Sequence, residues 1–347
     1  MEEKKKTARE IIVGYDGPPV RIMEVCGTHT HEIFRLGIRK LLPEQVELIS
    51  GPGCPVCVTQ VGFIDEAIYL ALERQVTICT FGDLVRVPGT NMSLAGAREK
   101  GAKIRIVYSP VDVKEYAKEH PKEQVTFLSV GFETTTPSAC LSVKKAREEG
   151  LTNYSILTAN KTMPQAYEAL KGSADIFLYP GHVNAITGTK LCEELAKEGV
   201  SGVVAGFTAK ELLTALAVAL ARFQEGRPFF VNCYPRVVTE NGSPQAQKLV
   251  EEMMEPCDSE WRGLGVIKRS GMRLQEEWSA FDARKKYKIP PIQGKANPAC
   301  RCGDVLQGKC KPSDCKVFGK VCTPQHPVGA CMVSGEGACS AYYMYGE

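Results

Sequence analysis

Short apolar runs alternate with polar, glycine-containing turns and helix-like segments from residue 21 to about residue 234. The runs predict nine strands, at Arg21–Val25, Val46–Ile49, Val76–Thr80, Lys103–Tyr108, Val125–Val130, Tyr154–Thr158, Asp175–Leu178, Gly202–Ala205 and Phe229–Asn232. Helical periodicity lies between them, as at Phe63–Arg74, Met163–Lys171 and Ala209–Gln224. Strands that alternate with helices are typical of parallel sheets. The pattern predicts an α/β fold with two small parallel-sheet domains facing a cleft.

The pattern changes after Tyr234. Pro244–Glu255 and Leu274–Tyr287 are predicted helices, and Pro290-Pro291 ends the second. Residues 292–347 hold few apolar residues, many Gly and Pro, and seven of the 15 cysteines. Such a segment buries too little apolar surface to order itself and needs a covalent or metal cross-link. We therefore expect α/β domains over residues 1–118 and 119–240, then a helical connector and cysteine-rich domain over residues 241–347.

Charge and hydropathy exclude several classes of protein. The chain has 43 Lys and Arg against 40 Asp and Glu, a net charge of +3. This near-neutral balance does not indicate the large basic surface with which proteins bind nucleic acid or anionic membranes. The first ten residues, MEEKKKTARE, lack the apolar region of a secretory signal, and the apolar stretch Leu212–Ala221 is too short to cross a bilayer. We expect a cytoplasmic protein, in which clustered cysteines bind metal or do redox chemistry.

Unusual motifs follow four of the predicted strands. They are CGTHT at residues 26–30, GPGCPVC at residues 51–57, GFETTTP at residues 131–137 and YPGHVN at residues 179–184. Ligands of open α/β sheets bind outside the carboxyl ends of the strands. The four motifs are therefore expected to line one cleft between the two domains.

The pair Cys54 and Cys57 precedes a helix-like segment, where a helix N-terminus favours the thiolate. The spacing suits a reversible disulfide, two sulfur ligands on one metal, or simply two buried thiols. Cys26 at a neighbouring strand end would bring a third thiol, and His29 is placed to hydrogen-bond that thiolate or relay a proton. His31 is expected to be an ordinary polar residue.

Two further groups of residues have simpler interpretations. Thr134, Thr135 and Thr136 either accompany Glu133 as functional groups or cap a helix. The cysteines within or beside predicted elements are expected to be small core residues; these are Cys79, Cys140, Cys192, Cys233 and Cys257.

The cysteines of the C-terminal segment are Cys300, Cys302, Cys310, Cys315, Cys322, Cys331 and Cys339. None of them forms a Cys-x-x-Cys pair, and only His326 offers a nitrogen ligand, so a zinc ribbon is disfavoured. An iron–sulfur cluster, which takes four thiolates, suits the segment better. Spacing alone does not decide which four of the seven bind it.

Together the four strand-end motifs and the terminal cysteines resemble the HypD family, which matures nickel–iron hydrogenases. The similarity runs in order along nearly the whole chain. It implies a scaffold on which an iron atom with two cyanides and one carbon monoxide is assembled, together with the small chaperone HypC and with cyanide from HypE. Cys26 then matches the family's iron-binding cysteine, near His29, and Cys54 and Cys57 match the redox pair facing it.

The resemblance also assigns the terminal cysteines. The family's [4Fe–4S] spacing is matched by Cys300, Cys315, Cys322 and Cys339. Cys302 and Cys331 match a second thiol pair, which passes electrons between cluster and cleft, and Cys310 has no assigned role. His182 and Glu336 match functional positions. The resemblance implies an assembly scaffold acting with partners rather than a stand-alone enzyme. Separately, we expect the chain to be a monomer on its own.

Two other functions compete with this one. A general thioredoxin-like disulfide reductase with a [4Fe–4S] cluster would use the Cys54–Cys57 pair on protein substrates. A zinc-stapled binding module would have no redox chemistry.

Overall fold

The computed structural model describes residues 6–346 and contains both expected parallel sheets. The first sheet has the order β2-β1-β7-β8-β9, with strands β1 Val20–Glu24, β2 Val46–Ser50, β7 Ile176–Pro180, β8 Ser201–Ala205 and β9 Phe230–Asn232. The second has the order β4-β3-β5-β6, with strands β3 Thr77–Thr80, β4 Ile104–Ile106, β5 Val125–Gly131 and β6 Tyr154–Asn160. All nine predicted strands are confirmed, as is the α/β class.

Fifteen α-helices accompany these strands in the described residues. They are α1 Ala8–Val13, α2 Gly27–Arg35, α3 Pro55–Val58, α4 Val61–Glu73, α5 Leu94–Glu99, α6 Pro110–Glu119, α7 Thr136–Glu148, α8 Met163–Ala169, α9 Gly181–Thr187, α10 Lys190–Lys197, α11 Ala209–Phe223, α12 Pro244–Met253, α13 Ala283–Lys286, α14 Cys302–Leu306 and α15 Ala338–Tyr345. Short 3-10 turns occur at Ile38–Leu41, Gly82–Arg86, Glu276–Phe281, Pro312–Asp314 and Ala330–Met332. No helix among residues 6–346 is long and apolar enough to cross a membrane.

Helix α11 shows how the sequence forms these layers. Thr208 caps its first turn, and Glu211 completes a reciprocal capping box that satisfies the free amides there. Leu212, Leu216 and Leu220 recur at helical spacing and are fully buried against the first sheet. The helix therefore presents its charged face outward and covers the sheet with its apolar one.

The sheets are not divided where the sequence suggested. β1 and β2 pair with β7, β8 and β9, and the second sheet is inserted between them in the chain. Each sheet thus draws strands from both sides of the boundary expected between residues 118 and 119. As a result, CGTHT, CPVC and YPGHVN lie at the ends of one sheet, while GFETTTP lies at the end of the other.

The region after residue 240 differs most from expectation. α12 is present, but an antiparallel hairpin of β10 Met254–Trp261 and β11 Gly265–Leu274 follows it. The helix predicted over Leu274–Tyr287 is wrong: this stretch is the end of β11, a 3-10 turn and the single-turn α13. Residues 1–5, half of the segment in which no secretory leader is expected, lie outside the described residues.

Candidate metal and thiol-redox site

Cys26 lies where β1 ends and α2 begins, at the carboxyl edge of the first sheet. β1 pairs in parallel with β2 on one side and β7 on the other, so the ends of three strands meet here. The Gly27 amide donates to the Gly53 carbonyl at 3.0 Å. A Cβ on Gly53 would collide with the Cys26 backbone, so glycine is required for the CPVC segment to approach Cys26 this closely.

A third segment, from the C-terminus, completes the contact. A Cβ on Gly27 would lie 2.6 Å from the Glu336 Cβ and 3.3 Å from the Cys54 Cβ. The Thr28 hydroxyl donates to Glu336 Oε1 at 2.7 Å, and helix α15 packs against α2. Residues about 30 and 310 positions apart therefore meet at one place.

The Cys26 thiol is buried and protonated as it stands. Burial raises the pKa of Cys26 to about 12; the backbone N–H of His29 opposes this rise, and the Glu336 carboxylate adds to it. A metal ion would displace the thiol proton, because a coordinating thiol is held as the thiolate. The amides at the start of α2 would then stabilise the negative sulfur.

His29 is placed differently from the expectation. Its Nε2 lies 3.3 Å from the Ala205 carbonyl and 3.1 Å from that of Gly206, so the ring hydrogen-bonds to the end of β8 and not to Cys26. Since carbonyls only accept, Nε2 carries the proton and Nδ1 keeps a lone pair, which is buried and without a partner among the described residues. Burial lowers the pKa of His29 to about 4, so the ring is neutral near pH 7.

Phe207 joins the two histidines of the site. Its ring stacks on His29 at 4.7 Å and on His182 at 3.9 Å between centroids. His182 is exposed, and the nearby Glu336 carboxylate partly opposes the lowering of its pKa by burial. The stack thus leads from the buried His29 to the surface. Sequence patterns gave no sign of Phe207, because a lone aromatic after a strand has no distinctive spacing.

His31 is half-buried, and its Nδ1 lies 3.1 Å from the Gly335 carbonyl, next to Glu336. It holds the C-terminal segment against α2, which agrees with the structural role expected for it.

A buried ion pair braces the end of β1. Glu24 is fully buried, accepts from the Thr30 hydroxyl at 2.6 Å and pairs with Arg39. Burial raises the pKa of Glu24, and the Arg39 charge opposes that rise. Sequence reasoning missed this pair, although an acidic residue inside an apolar strand run was the available sign. The brace fixes the strand end from which Cys26 projects.

Cys54 and Cys57 form a disulfide with their Cα atoms 5.2 Å apart. Cys54 is the N-cap of α3, where its sulfur accepts from the Cys57 amide at 3.2 Å. Both sulfurs are buried, with residue exposures of 2% and 0%. Of the three interpretations of this motif, the pair is therefore a disulfide in this state, and it faces the protein interior rather than solvent.

Six of the seven terminal cysteines line one cavity. They are Cys300, Cys302, Cys315, Cys322, Cys331 and Cys339. Cys310 lies apart, in a separate recess. No three His, Cys, Asp or Glu side chains within residues 6–346 are grouped to hold a single metal ion. A cubane cluster instead takes four cysteines around a larger body, and this cavity has that set of donors, including the four whose spacing matches.

Within the cavity the thiols lie in a row, Cys300, Cys302, Cys331 and Cys339, in which each shifts the pKa of its neighbour. The hydrogen bond from Cys302 and burial both raise the pKa of Cys300. The turn that contains Cys331 packs against α3, and Cys54, Cys57, Cys302 and Cys331 belong to one buried core cluster. Cys302 and Cys331 thus line the cavity and belong to the same buried core as the CPVC disulfide.

The GFETTTP segment places an acid, Glu133, at the end of the second sheet, near the buried Tyr167. Burial raises the pKa of Tyr167, and both Glu133 and Cys26 add to that rise. Glu133 Oε1 accepts from the Met163 amide at 2.8 Å, while Oε2 is buried without a partner among the described residues. Burial raises the pKa of Glu133 to about 7. Thr135 occupies the N-cap of α7, but its hydroxyl bonds back to Phe132 and does not cap the helix. The capping interpretation of the threonines is therefore wrong.

The remaining cysteines agree in part with their predicted role. Cys79, Cys140 and Cys192 are buried core residues. Cys233 and Cys257 are only partly buried, so the core assignment fails for these two.

Comparison with known proteins gives one consistent result. The family model described as "HypD: Hydrogenase formation hypA family" matches residues 2–346. The chain is 42% identical to "Hydrogenase maturation factor HypD" of Cupriavidus necator, over 95% of this chain and 91% of that protein. It is 43% identical to the protein of the same name from Escherichia coli, over 94% and 89%. It is 44% identical to the protein of the same name from Rhodobacter capsulatus, over 94% of this chain and 90% of that protein.

Proposed function

Because this chain belongs to the HypD family of hydrogenase maturation factors, we propose that it is the scaffold on which iron receives two cyanides and one carbon monoxide. The observation behind this proposal is the meeting of Cys26, the CPVC disulfide and Glu336 from three distant segments. The iron is the substrate, and Cys26 binds it. Cys54 and Cys57 are held in their disulfide in the structure, and they become available as further sulfur ligands only when reduction frees them to move toward the iron. Electron-rich thiolates suit the low-valent iron that holds such ligands.

The protonation states of the groups in the site follow from how deeply each group is buried. Binding of iron releases the Cys26 proton. His29 is neutral and offers its unpartnered Nδ1 lone pair as a buried acceptor, while Glu133 presents a carboxyl oxygen from the facing sheet. His182 and Glu336 lie at the exposed mouth, where they meet incoming ligands.

Electrons reach the site through the second thiol pair. Cys300, Cys315, Cys322 and Cys339 would hold a [4Fe–4S] cluster, which supplies electrons one at a time. Reduction of the Cys54–Cys57 disulfide consumes two electrons and two protons and yields two thiols. Cys302 and Cys331 line the cavity and share a buried core with Cys54 and Cys57, which supports a route for this pair of electrons by thiol–disulfide exchange.

The partners are those that the family resemblance implies, with HypC as the small chaperone and HypE as the source of cyanide. We propose that this chain, a monomer by itself, works in the cytoplasm as an assembly scaffold and not as a stand-alone enzyme. A general disulfide reductase is less well supported, because the Cys54–Cys57 disulfide is buried and a substrate disulfide would not reach it. Turnover of model disulfides should therefore be negligible.

Infrared spectroscopy of the protein purified anaerobically with HypC tests the assignment of Cys26. Bound cyanide and carbon monoxide should give bands in a region free of protein absorption, and Cys26→Ala should abolish them. Cys310→Ala removes a thiol outside the cavity and should leave the bands unchanged. Undiminished bands in Cys26→Ala would refute the iron-binding role of Cys26.

A further inference from the structure

A basic recess lies beside the cysteine cavity, and we infer that a small acidic electron-transfer protein docks there to reduce the cluster. The recess is the open hollow of about 680 Å³ whose lining includes Arg86, Arg262, Lys295 and His326. The inference rests on the proposed function, since it assumes a redox centre in the cavity. It adds the place where electrons enter and the chemistry of the partner that delivers them.

The lining has a one-sided charge. Arg86, Lys295 and His326 are exposed around the recess, and no carboxylate lines it among the described residues. The surrounding sequence has the same bias, because residues 295–330 contain six Lys or Arg and two Asp. This local excess is larger than the +3 net charge of the whole chain. Such a patch attracts an acidic partner and raises its association rate.

Arg262 connects the recess to the cavity. Its Nε donates to the Thr59 carbonyl at 2.8 Å, whereas Nη2 is buried without a partner among residues 6–346. The next residue, Gly263, packs its backbone directly on Gly303, which follows Cys302. An unpaired buried guanidinium nitrogen costs free energy unless an anion pairs with it. Arg262 thus places an unsatisfied positive charge between the docking surface and the thiols.

Another part of the recess lining also lies close to the sulfur atoms of the cavity. Val328 lines the recess, and its amide donates to the Cys322 sulfur at 3.3 Å. Pro298, also in the lining, precedes Cys300 by two residues. A carrier seated in the recess would therefore be separated from two of the four proposed cluster ligands by a single layer of residues.

The step itself is simple electron transfer. Each encounter oxidises the carrier by one electron and reduces the cluster by one, and no covalent bond forms. Two encounters supply the electron pair that the Cys54–Cys57 disulfide consumes. Redox partners of this kind use small, transient interfaces, so a shallow charged recess is sufficient for docking.

The test is anaerobic stopped-flow reduction of the full-length, cluster-loaded protein by a reduced acidic ferredoxin of the plant type. At low ionic strength, the double variant Arg86→Glu with Lys295→Glu should be reduced with a rate constant lowered about tenfold or more. Added salt should narrow the gap between variant and wild type. The control double variant Lys122→Glu with Lys210→Glu makes the same total charge change at two exposed sites outside the recess lining, and it should behave as wild type.

Two further measurements distinguish a misfolded variant, a protein without a cluster and the absence of a docking surface. Reduced methyl viologen, a cation, should reduce wild type and double variant at similar rates if the variant is folded and loaded. Binding of oxidised ferredoxin, measured by calorimetry with and without iron in the protein, should be weaker in the double variant. Iron-free protein would refute the cluster but not the docking surface. Equal ferredoxin binding and equal reduction rates in wild type and double variant would overturn the inference.

Discussion

The strand-end site and the cysteine-rich tail both gather sulfur, but they are held in place by different means. Cys26 projects from a strand that is paired on both sides and braced by the buried Glu24–Arg39 pair. The tail over residues 292–346 has only α14, α15 and two 3-10 turns, and its cysteines meet around a cavity. The first site is therefore organised by the sheet, whereas we propose that the tail depends on the cluster that its thiols would hold.

This difference matters for the order of assembly. A site fixed by a parallel sheet can wait for iron with its geometry already formed, which lowers the entropic cost of binding. A segment that is ordered by a metal group gains its folding free energy from that group. Removal of the proposed cluster should thus disorder the cysteine-rich tail, while the strand-end site around Cys26 keeps its shape.

The largest effect is expected from removing a cluster ligand. Cys322→Ser should increase amide hydrogen exchange across residues 300–345 by about a hundredfold or more, equivalent to about 3 kcal/mol, because metal-group binding stabilises such segments by several kcal/mol. Amides of β1 and β7 should keep their exchange rates within about twofold. Exchange read by mass spectrometry on the anaerobic protein measures both regions together.

Cys310→Ser provides the matched control, since that thiol lies outside the cavity. It should leave exchange in the tail unchanged. If the amides of residues 300–345 exchange at the same rate in Cys322→Ser and Cys310→Ser, the tail is held by packing alone. The contrast between the two regions would then disappear.

A smaller effect is expected where the sheet braces the first site. Arg39→Met leaves Glu24 buried without its counter-ion and should lower the free energy of unfolding by about 3–5 kcal/mol. The double variant Arg39→Met with Glu24→Leu should recover most of this loss, because no unpaired charge remains. Urea unfolding monitored by circular dichroism gives the values.

Arg35→Met is the control for this change. Its Arg35–Glu32 pair lies on the exposed side of α2, so its removal should cost no more than about 1 kcal/mol. A similar loss in Arg35→Met and Arg39→Met would mean that the buried pair has no special role in holding β1.

The fold was largely predictable because its signals are local. The parallel strands β5, β6, β7 and β8 are buried along their whole length and appear as mostly apolar runs, and the turns between elements contain Gly or Pro. Which strands share a sheet was not predictable, because the insertion of β3–β6 between β2 and β7 leaves no local mark. The hairpin of β10 and β11 was missed because β10 contains Pro256 and no β-branched residue and β11 contains Gly271, all of which weaken the sequence signal of a strand.

The site likewise contains some residues that the sequence predicted and others that it could not reveal. Cys26, Cys54 and Cys57 were predicted from their motifs, and the structure places Cys26 against the CPVC segment. Glu24 and Phe207 act through contacts made only after folding, so spacing could not reveal them. The roles of the cysteines, the histidines and Glu336 in assembly remain predictions for the experiments above.

The smallest effect is a pH dependence that belongs to the strand-end site. The unfolded chain protonates His29 near pH 6.5, but burial lowers its pKa to about 4 in the folded protein. Between these values the unfolded state binds the extra proton, so the free energy of unfolding falls as the pH drops from 6.5 to 4, by up to about 3 kcal/mol.

His29→Gln cannot titrate, while its amide can still donate to the Ala205 and Gly206 carbonyls. Urea unfolding from pH 7 to pH 4 should therefore show a smaller loss of stability in His29→Gln than in wild type. Any acid loss of the cluster, and the opposite contribution of Glu133, affect both proteins alike and cancel in the difference. Parallel stability curves for the two proteins would mean that His29 is reached by protons in the folded state, and the strand-end site would then be less tightly closed than its packing indicates.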